Sequence, residues 1–432
     1  MDYRRAAHPR PKLERSLGLL TTTLVGVGII VGAGIYALIG EGVALSGANV
    51  WISFLAAAFV SILTGLSYAE LSSMYPKAGA EYNYLSNAFS SRWGFWIGWL
   101  IIIAGFISVA TVAMGFGGYF SRLAGFPLME TAAAIIVLST VVVWLGVKQS
   151  AWIGSFFTLI EITGLLFIIF VGLPSIGSQP LVDFSIPIAS VLGAGALVFF
   201  AFIGFEDIVR MSEETKNPTK TIPRAVILAI LISSVLYVLV ALSAISLVDV
   251  DQLAHSKSPL ADVANAAAGS QAFFALSIIA LFSTANTVML FILAVSRIVY
   301  GMAAENSLPS FLGHVHSKTH SPDNAVIVSG ALSLAALSVG NIAFVANATG
   351  FLLFLVFISV NFSVIKLRFQ KPHLERPFKV PIALGKIPLL PLLGILACLG
   401  LIVFMPPDVI ALGIAIVLVG AVLAWRKTLV LS

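Results

Sequence analysis

The sequence predicts an all-α membrane protein with twelve transmembrane helices. Composition, the length of its apolar runs and the placement of its basic residues carry that expectation. Of the 432 residues, 59% are apolar and 10% are charged, against roughly 25% charged in an ordinary soluble protein. A soluble fold of this length cannot hide so much apolar surface, so lipid is the solvent that fits. In lipid every backbone polar group must be bonded within the protein, which leaves helices or a closed barrel. A barrel reads as alternating segments of about ten residues. The runs here are long and continuous, so they are helices.

The spans fall at about 17–40, 48–69, 93–120, 129–147, 154–174, 188–211, 223–247, 271–303, 324–341, 343–366, 387–405 and 409–425. The first follows a basic tail. It is too long for a signal-peptide core and many similar runs follow, so it reads as an uncleaved span. This divides the chain into a tail, 1–16, and one transmembrane unit, 17–432. The run 271–303 exceeds a bilayer, so its last turns, with Arg297 and Glu305, are expected in water. The stretches around 70–92, 211–223, 248–270 and 304–323 read as connectors.

Orientation follows from Lys and Arg. Arg4, Arg5, Arg10, Lys12 and Arg15 precede span 1. Lys216, Lys220 and Arg224 lie between spans 6 and 7, with Arg210 at the edge. Lys366, Arg368, Lys371, Arg376, Lys379 and Lys386 lie between spans 10 and 11. With the N-terminus cytoplasmic, only Arg122 and Lys257 of the 24 basic residues fall outside. Both termini are therefore expected in the cytoplasm, with the chain in the cell membrane. The net charge of +5 is this bias, not a nucleic-acid surface.

The sequence offers no enzyme chemistry. No nucleophile–base arrangement, phosphate-cradling loop or zinc spacing appears, and without a Walker motif ATP is not the energy source. The single cysteine, Cys398, reads as a small buried hydrophobe. His8, His255, His314, His316, His320 and His373 fall in tails or loops; His314, His316 and His320 read as a solvated loop rather than a metal site. No cofactor is expected.

Two spans carry breaks. Span 1 contains Gly26-Val27-Gly28-Ile29-Ile30-Val31-Gly32-Ala33-Gly34. Its glycines permit close backbone approach, and Gly28 with Gly32 equally suits small-xxx-small helix packing. Span 6 contains Phe199-Phe200-Ala201-Phe202-Ile203-Gly204-Phe205-Glu206, a glycine inside an aromatic run beside a carboxylate. Interrupted helices in matching positions of two halves point to a transporter site. Helix N-termini receive a carboxylate and freed carbonyls accept an ammonium, so the pair suits a zwitterion.

These segments resemble the amino acid–polyamine–organocation transporter superfamily. Gly-Ala-Gly-Ile in span 1 is similar to its helix break. The loop Ala69-Glu70-Leu71 through Pro76, Gly79 and Tyr82 is similar to its A-E-L-x-x-x-x-P-x-x-G-x-x-Y. Phe202-Ile203-Gly204-Phe205-Glu206, with Glu214 through Asn217-Pro218 and Pro223-Arg224-Ala225, matches a third signature. Arg297 through Ala304-Glu305-Asn306-Ser307-Leu308-Pro309 resembles its span 8 exit, with Asn306 in place of the usual Gly. The resemblance implies a LeuT-like five-plus-five inverted repeat, two extra C-terminal helices and alternating access around a site between spans 1, 3, 6 and 8. It places the substrate carboxylate at the amides of Gly32, Ala33 and Gly34. The ammonium falls near the carbonyls of Ile30, Phe200 and Ile203, with Phe202 in the same segment. Phe200 stands where some members carry an aromatic gate, or simply packs between helices. Ser108 and Thr111 on span 3 and the aromatic surroundings suit a neutral or apolar side chain.

An ionisable group at membrane depth is a functional hypothesis by default. Many proton-coupled or sodium-independent relatives carry a Lys where this chain has Glu161. Three readings stay open for Glu161: a proton carrier, a cation ligand with Ser283, Thr284 or Thr287, and a structural hydrogen-bond partner. Glu206 suits gating or proton sensing, or bracing of the unwound segment. Glu70, Glu213 and Glu214 are expected in loop ion pairs or inner-gate contacts, and Arg297 in a cytoplasmic network. The function expected is transport of amino acids across the membrane, coupled to protons. Its rivals are an amino acid or polyamine exchanger and, more distantly, a non-transporting sensor. A sensor would carry a long soluble extension, whereas about 16 residues precede span 1.

Overall fold

A computed structural model describes residues 15–76, 80–146, 151–304, 307–316 and 321–431. Lys77 to Gly79 of the loop motif, Glu305 and Asn306, the tail up to Lys12 and His320 lie outside the described residues. Each apolar run read from the sequence is helical, and the bounds shift by a few residues.

Span 1 is two helices, α1 (Leu19–Val31) and α2 (Ala33–Ser46), and α3 (Val50–Met74) follows. A short α4 (Ala80–Ala88) leads into α5 (Ser91–Ala124), α6 (Leu128–Trp144) and α7 (Ala151–Gly172). Span 6 divides into α8 (Ile188–Val198), a 3₁₀ turn (Phe199–Phe202) and α9 (Asp207–Arg210). Then come α10 (Pro218–Leu247), α11 (Val250–Ala254), α12 (Pro259–Ala268), α13 (Ser270–Ala304), α14 (Asp323–Leu337) and α15 (Ile342–Gln370). A two-stranded hairpin, β1 (Ala383–Leu384) with β2 (Ile387–Pro388), precedes α16 (Leu389–Val403) and α17 (Pro407–Leu431).

Among the described residues, eight helical segments are long and apolar enough to cross a membrane, and four further apolar helices are shorter. Large apolar side chains such as Phe59, Leu138, Phe170 and Val403 stand exposed on the outside, as lipid-facing positions do. The chain is a multi-pass membrane protein. α13 has 35 residues, about 52 Å at the helical rise, and outruns a hydrocarbon core of about 30 Å.

The connectors expected around 70–92 and 248–270 contain helices. α4, Ala-Glu-Tyr-Asn-Tyr-Leu-Ser-Asn-Ala, is too polar to register as a span. It folds because Tyr84 and Leu85 are buried. α11 has an Asp249 N-cap accepting the Asp251 N–H, and α12 opens on Pro259; both are standard start signals.

The face that carries the 211–217 connector and the α15–α16 loop is anchored by a buried ion cluster. Glu70, at the end of α3, accepts from Arg368 at 2.5 and 3.1 Å and from the Val380 N–H at 2.8 Å. Arg376 stands 3.3 Å from the same carboxylate. Glu70 thus makes the loop ion pairs expected of it. Exposed Arg297 makes no ion pair among the described residues.

Candidate functional site

The two broken helices meet in the protein interior. Gly32 leaves the helical region, with φ −20° and ψ −147°, so α1 and α2 are separate rods. In span 6, Ile203 is extended and Gly204 takes φ +118°, a conformation that favours glycine. A Cβ on Gly34 would lie 2.5 Å from the Ala201 Cα. One on Gly204 would lie 2.6 Å from the Ile29 side chain. These two glycines let the breaks touch backbone to backbone.

Tyr237 of α10 joins them. Its hydroxyl lies 2.7 Å from the Ile30 carbonyl and 2.8 Å from that of Ala201. A phenol has one proton and donates to one carbonyl at a time. The Phe202 ring meets the Tyr237 ring edge-on at 5.0 Å. The Phe200 carbonyl already accepts the Ile203 N–H at 3.2 Å. Across the break, the Ala33 N–H donates to Thr287 Oγ1 of α13 at 3.3 Å. The Gly32 N–H turns back to the Gly28 carbonyl at 3.2 Å.

Glu161 of α7 is buried, and its Oε1 has no hydrogen-bond partner. It faces Ser283 and Asn286 of α13, and the Ser283 hydroxyl also lacks a partner at hydrogen-bond distance. Tyr36 donates to the Glu161 backbone carbonyl at 2.9 Å. The Thr284 hydroxyl bonds back to the Ala280 carbonyl at 2.7 Å. Thr287 donates back to the Ser283 carbonyl at 2.9 Å while accepting from Ala33.

Glu206 is buried and accepts the Gly204 N–H at 2.9 Å. That bond ties the carboxylate to the backbone two residues before it, at the glycine of the break. Ser108 of α5 donates to its own helix at the Ala104 carbonyl, 2.8 Å. Thr111 does the same at Ile107, 3.1 Å. Ser108, Ile203 and Glu206 line one small cavity of about 60 Å³.

A larger cavity of about 620 Å³ adjoins it. It runs along α13 from Asn286 and Thr287 to Gly301 and Met302, about 24 Å at the helical rise. Its inner end touches Gly28 and Ile29, and its outer end touches Tyr82 and Glu214. It thus opens toward the face bearing the 211–217 connector. At its mouth Arg210 pairs with Asp207 and, at 3.4 Å, with Glu81 of α4; Glu81 also accepts from Tyr68 at 3.2 Å. On the opposite side Tyr36 and Tyr119 pack edge to face and close the interior. Among the described residues no group of three or more His, Cys, Asp and Glu side chains converges on a point. His314 instead pairs with Asp323 at 2.8 Å.

Sequence reasoning passed over Tyr237, Tyr36, Asn286 and the Glu81–Arg210 link. A signal existed for the first two, since a tyrosine in an apolar span needs a partner for its hydroxyl. Asn286 belongs to the polar run Ser283-Thr284-Ala285-Asn286-Thr287.

The family model described as amino acid permease matches residues 17–425. The branched-chain amino acid permease BcaP of Bacillus subtilis is 30% identical over 427 residues, covering 93% of this chain and 90% of that protein. A methylthioribose transporter of the same organism is 29% identical, covering 91% and 89%. The mouse cationic amino acid transporter 4 is 31% identical, covering 83% of this chain and 60% of the longer relative.

Proposed function

Because this chain belongs to the amino acid permease family, we propose that it carries neutral, aliphatic amino acids across the cell membrane by proton-coupled alternating access. The observation that carries this reading is the meeting of two broken helices, bridged by Tyr237, at the closed end of a cavity open to one face. A zwitterion seated there presents its carboxylate to the helix N-terminus at Gly32, Ala33 and Gly34, where it takes over the Ala33 amide from Thr287 and the helix end attracts an anion. Its ammonium goes to the carbonyls of Ile30 and Ala201, which share one Tyr237 proton between them. Ile203 and Phe200 complete that wall. The substrate side chain points into the cavity flanked by Ile101, Phe291, Ala294 and Ile298. That lining supports an aliphatic substrate, and so does the likeness to the branched-chain amino acid permease of Bacillus subtilis.

Glu161 carries the coupling proton in this reading. Its support is a buried carboxyl oxygen without a partner, one helix away from Thr287, which holds the Ala33 amide. A protonated Glu161 can donate to Ser283 or Asn286, and an ionised one can only accept. The proton state therefore changes how α7 is tied to α13. Glu206 braces span 6 and Arg210 gates the mouth.

The wider arrangement is twelve spans, with two five-helix halves of opposite topology and two added helices. Residues 1–16 form a tail and 17–432 one transmembrane unit. The basic face is cytoplasmic, so both termini and the open cavity face the cytoplasm. The test is uptake of a radiolabelled amino acid panel into proteoliposomes without sodium. Accumulation driven by an inward proton gradient is expected. Flux only into vesicles preloaded with amino acid would make the protein an exchanger and return Glu161 to a structural role.

A further inference from the structure

The face opposite the main cavity holds a second one, of about 190 Å³. Its walls are α2 and α5, its floor includes Tyr119, and the segment between α11 and α12 roofs it. Two glycines let that roof sit low. A Cβ on Gly40 of α2 would lie 3.0 Å from the Leu253 carbonyl oxygen. A Cβ on Gly118 of α5 would lie 2.5 Å from the Lys257 carbonyl oxygen. Backbone acceptors therefore descend onto both walls.

Glu41 of α2 lines this cavity. It is half-buried and makes no hydrogen bond or ion pair with any described residue. A carboxylate withdrawn from water without a partner is costly to hold, and it suits a cation arriving from solution. The rim carries the opposite charge in Lys257, which is exposed at the roof; exposed His255 beside it lines the same cavity. A carboxylate below and an ammonium above match an α-amino acid, whose two charged groups sit on one carbon. Glu41 is seven residues beyond Gly34 on the same helix, about 10 Å along its axis.

We propose that this outer cavity is a separate binding site for α-amino acids, in which Glu41 receives the ammonium and Lys257 faces the carboxylate. It is the station a substrate occupies before Tyr36 and Tyr119 part to admit it to the breaks. The proposal rests on the transport reading above.

A cysteine at His255 reports on occupancy directly, because Cys398, the free cysteine of the described residues, is buried. In the His255→Cys variant, a charged, membrane-impermeant maleimide labels the roof, and L-leucine slows labelling. Adding Glu41→Gln raises the leucine concentration for half-protection about tenfold, the scale of one lost hydrogen bond to a charged group. Equilibrium binding of radiolabelled leucine at the breaks changes less than twofold. Glu41→Asp, which keeps the charge, restores protection to within about threefold and covers the case of a Gln variant that fails to fold. N-acetyl-leucine, which lacks the ammonium, does not protect. Undiminished protection in Glu41→Gln would overturn the proposal. So would protection lost in parallel with binding at the breaks, since the label would then read a conformational change. A wild-type protein that neither binds nor moves any amino acid fails on a different axis and removes the transport reading itself.

Discussion

Replacing Tyr237 with Phe removes one oxygen atom from the centre of the site and leaves the ring in place. The Phe202 and Phe54 rings that pack on it, at 5.0 and 5.6 Å, keep their contacts. What is lost is the donor lying between the Ile30 and Ala201 carbonyls, at 2.7 and 2.8 Å. Stripping a partner from a buried acceptor costs about 1–3 kcal/mol. The two carbonyls belong to different helices, so the loss falls on the register between the breaks rather than on either helix. Taking about 2 kcal/mol as the central value, uptake kcat/KM falls about 30-fold. The assay is initial leucine uptake into proteoliposomes at matched protein density, with size-exclusion elution as the check on folding. Uptake within twofold of wild type, with KM unchanged, would show that the hydroxyl neither aligns the breaks nor shares carbonyls with the substrate.

Further outcomes follow from the same geometry. Glu161→Gln keeps the shape but cannot ionise, so proton-driven accumulation disappears while exchange between equal leucine pools persists; both are read in one liposome preparation. Gly34→Val forces a side chain against the Ala201 backbone, where a Cβ alone would sit 2.5 Å away. Such overpacking costs about 1–3 kcal/mol, and transport is expected to fall below a tenth of wild type with a lowered melting temperature in detergent. Glu70→Ala leaves Arg368 and Arg376 buried without their carboxylate. Removing one partner of a buried ion pair costs about 3–5 kcal/mol, so this variant should show the largest thermal destabilisation of the set. A melting point equal to wild type would mean that the α15–α16 loop has another anchor.

The spans were legible because lipid imposes one rule on every residue in contact with it. Apolar runs that must bond their own backbone have to be helices, and the helices observed follow the runs read from the sequence. The two breaks were legible for a local reason: Gly32 and Gly204 sit where the chain leaves helical geometry, and the composition announces them. The partners of the breaks were not legible. Tyr237 lies 207 residues from Ile30, and Arg210 lies 129 from Glu81. Hydrophobic periodicity describes one helix at a time and says nothing about which helices touch. The position expected of Phe200 shows the same limit. Its carbonyl takes the Ile203 N–H because the segment tightens into a 3₁₀ turn, and the carbonyl left facing Tyr237 is that of its neighbour Ala201. α4, α11 and α12 escaped notice because short polar helices carry no membrane signal.

The most direct measurement of coupled transport follows radiolabelled leucine and a lumenal pH dye in the same sodium-free proteoliposomes. Proton-coupled transport through the paired breaks predicts that added leucine accumulates inside and acidifies the lumen, and that Gly34→Val abolishes both signals. Leucine that binds the protein while neither leucine nor protons reach the lumen would contradict it.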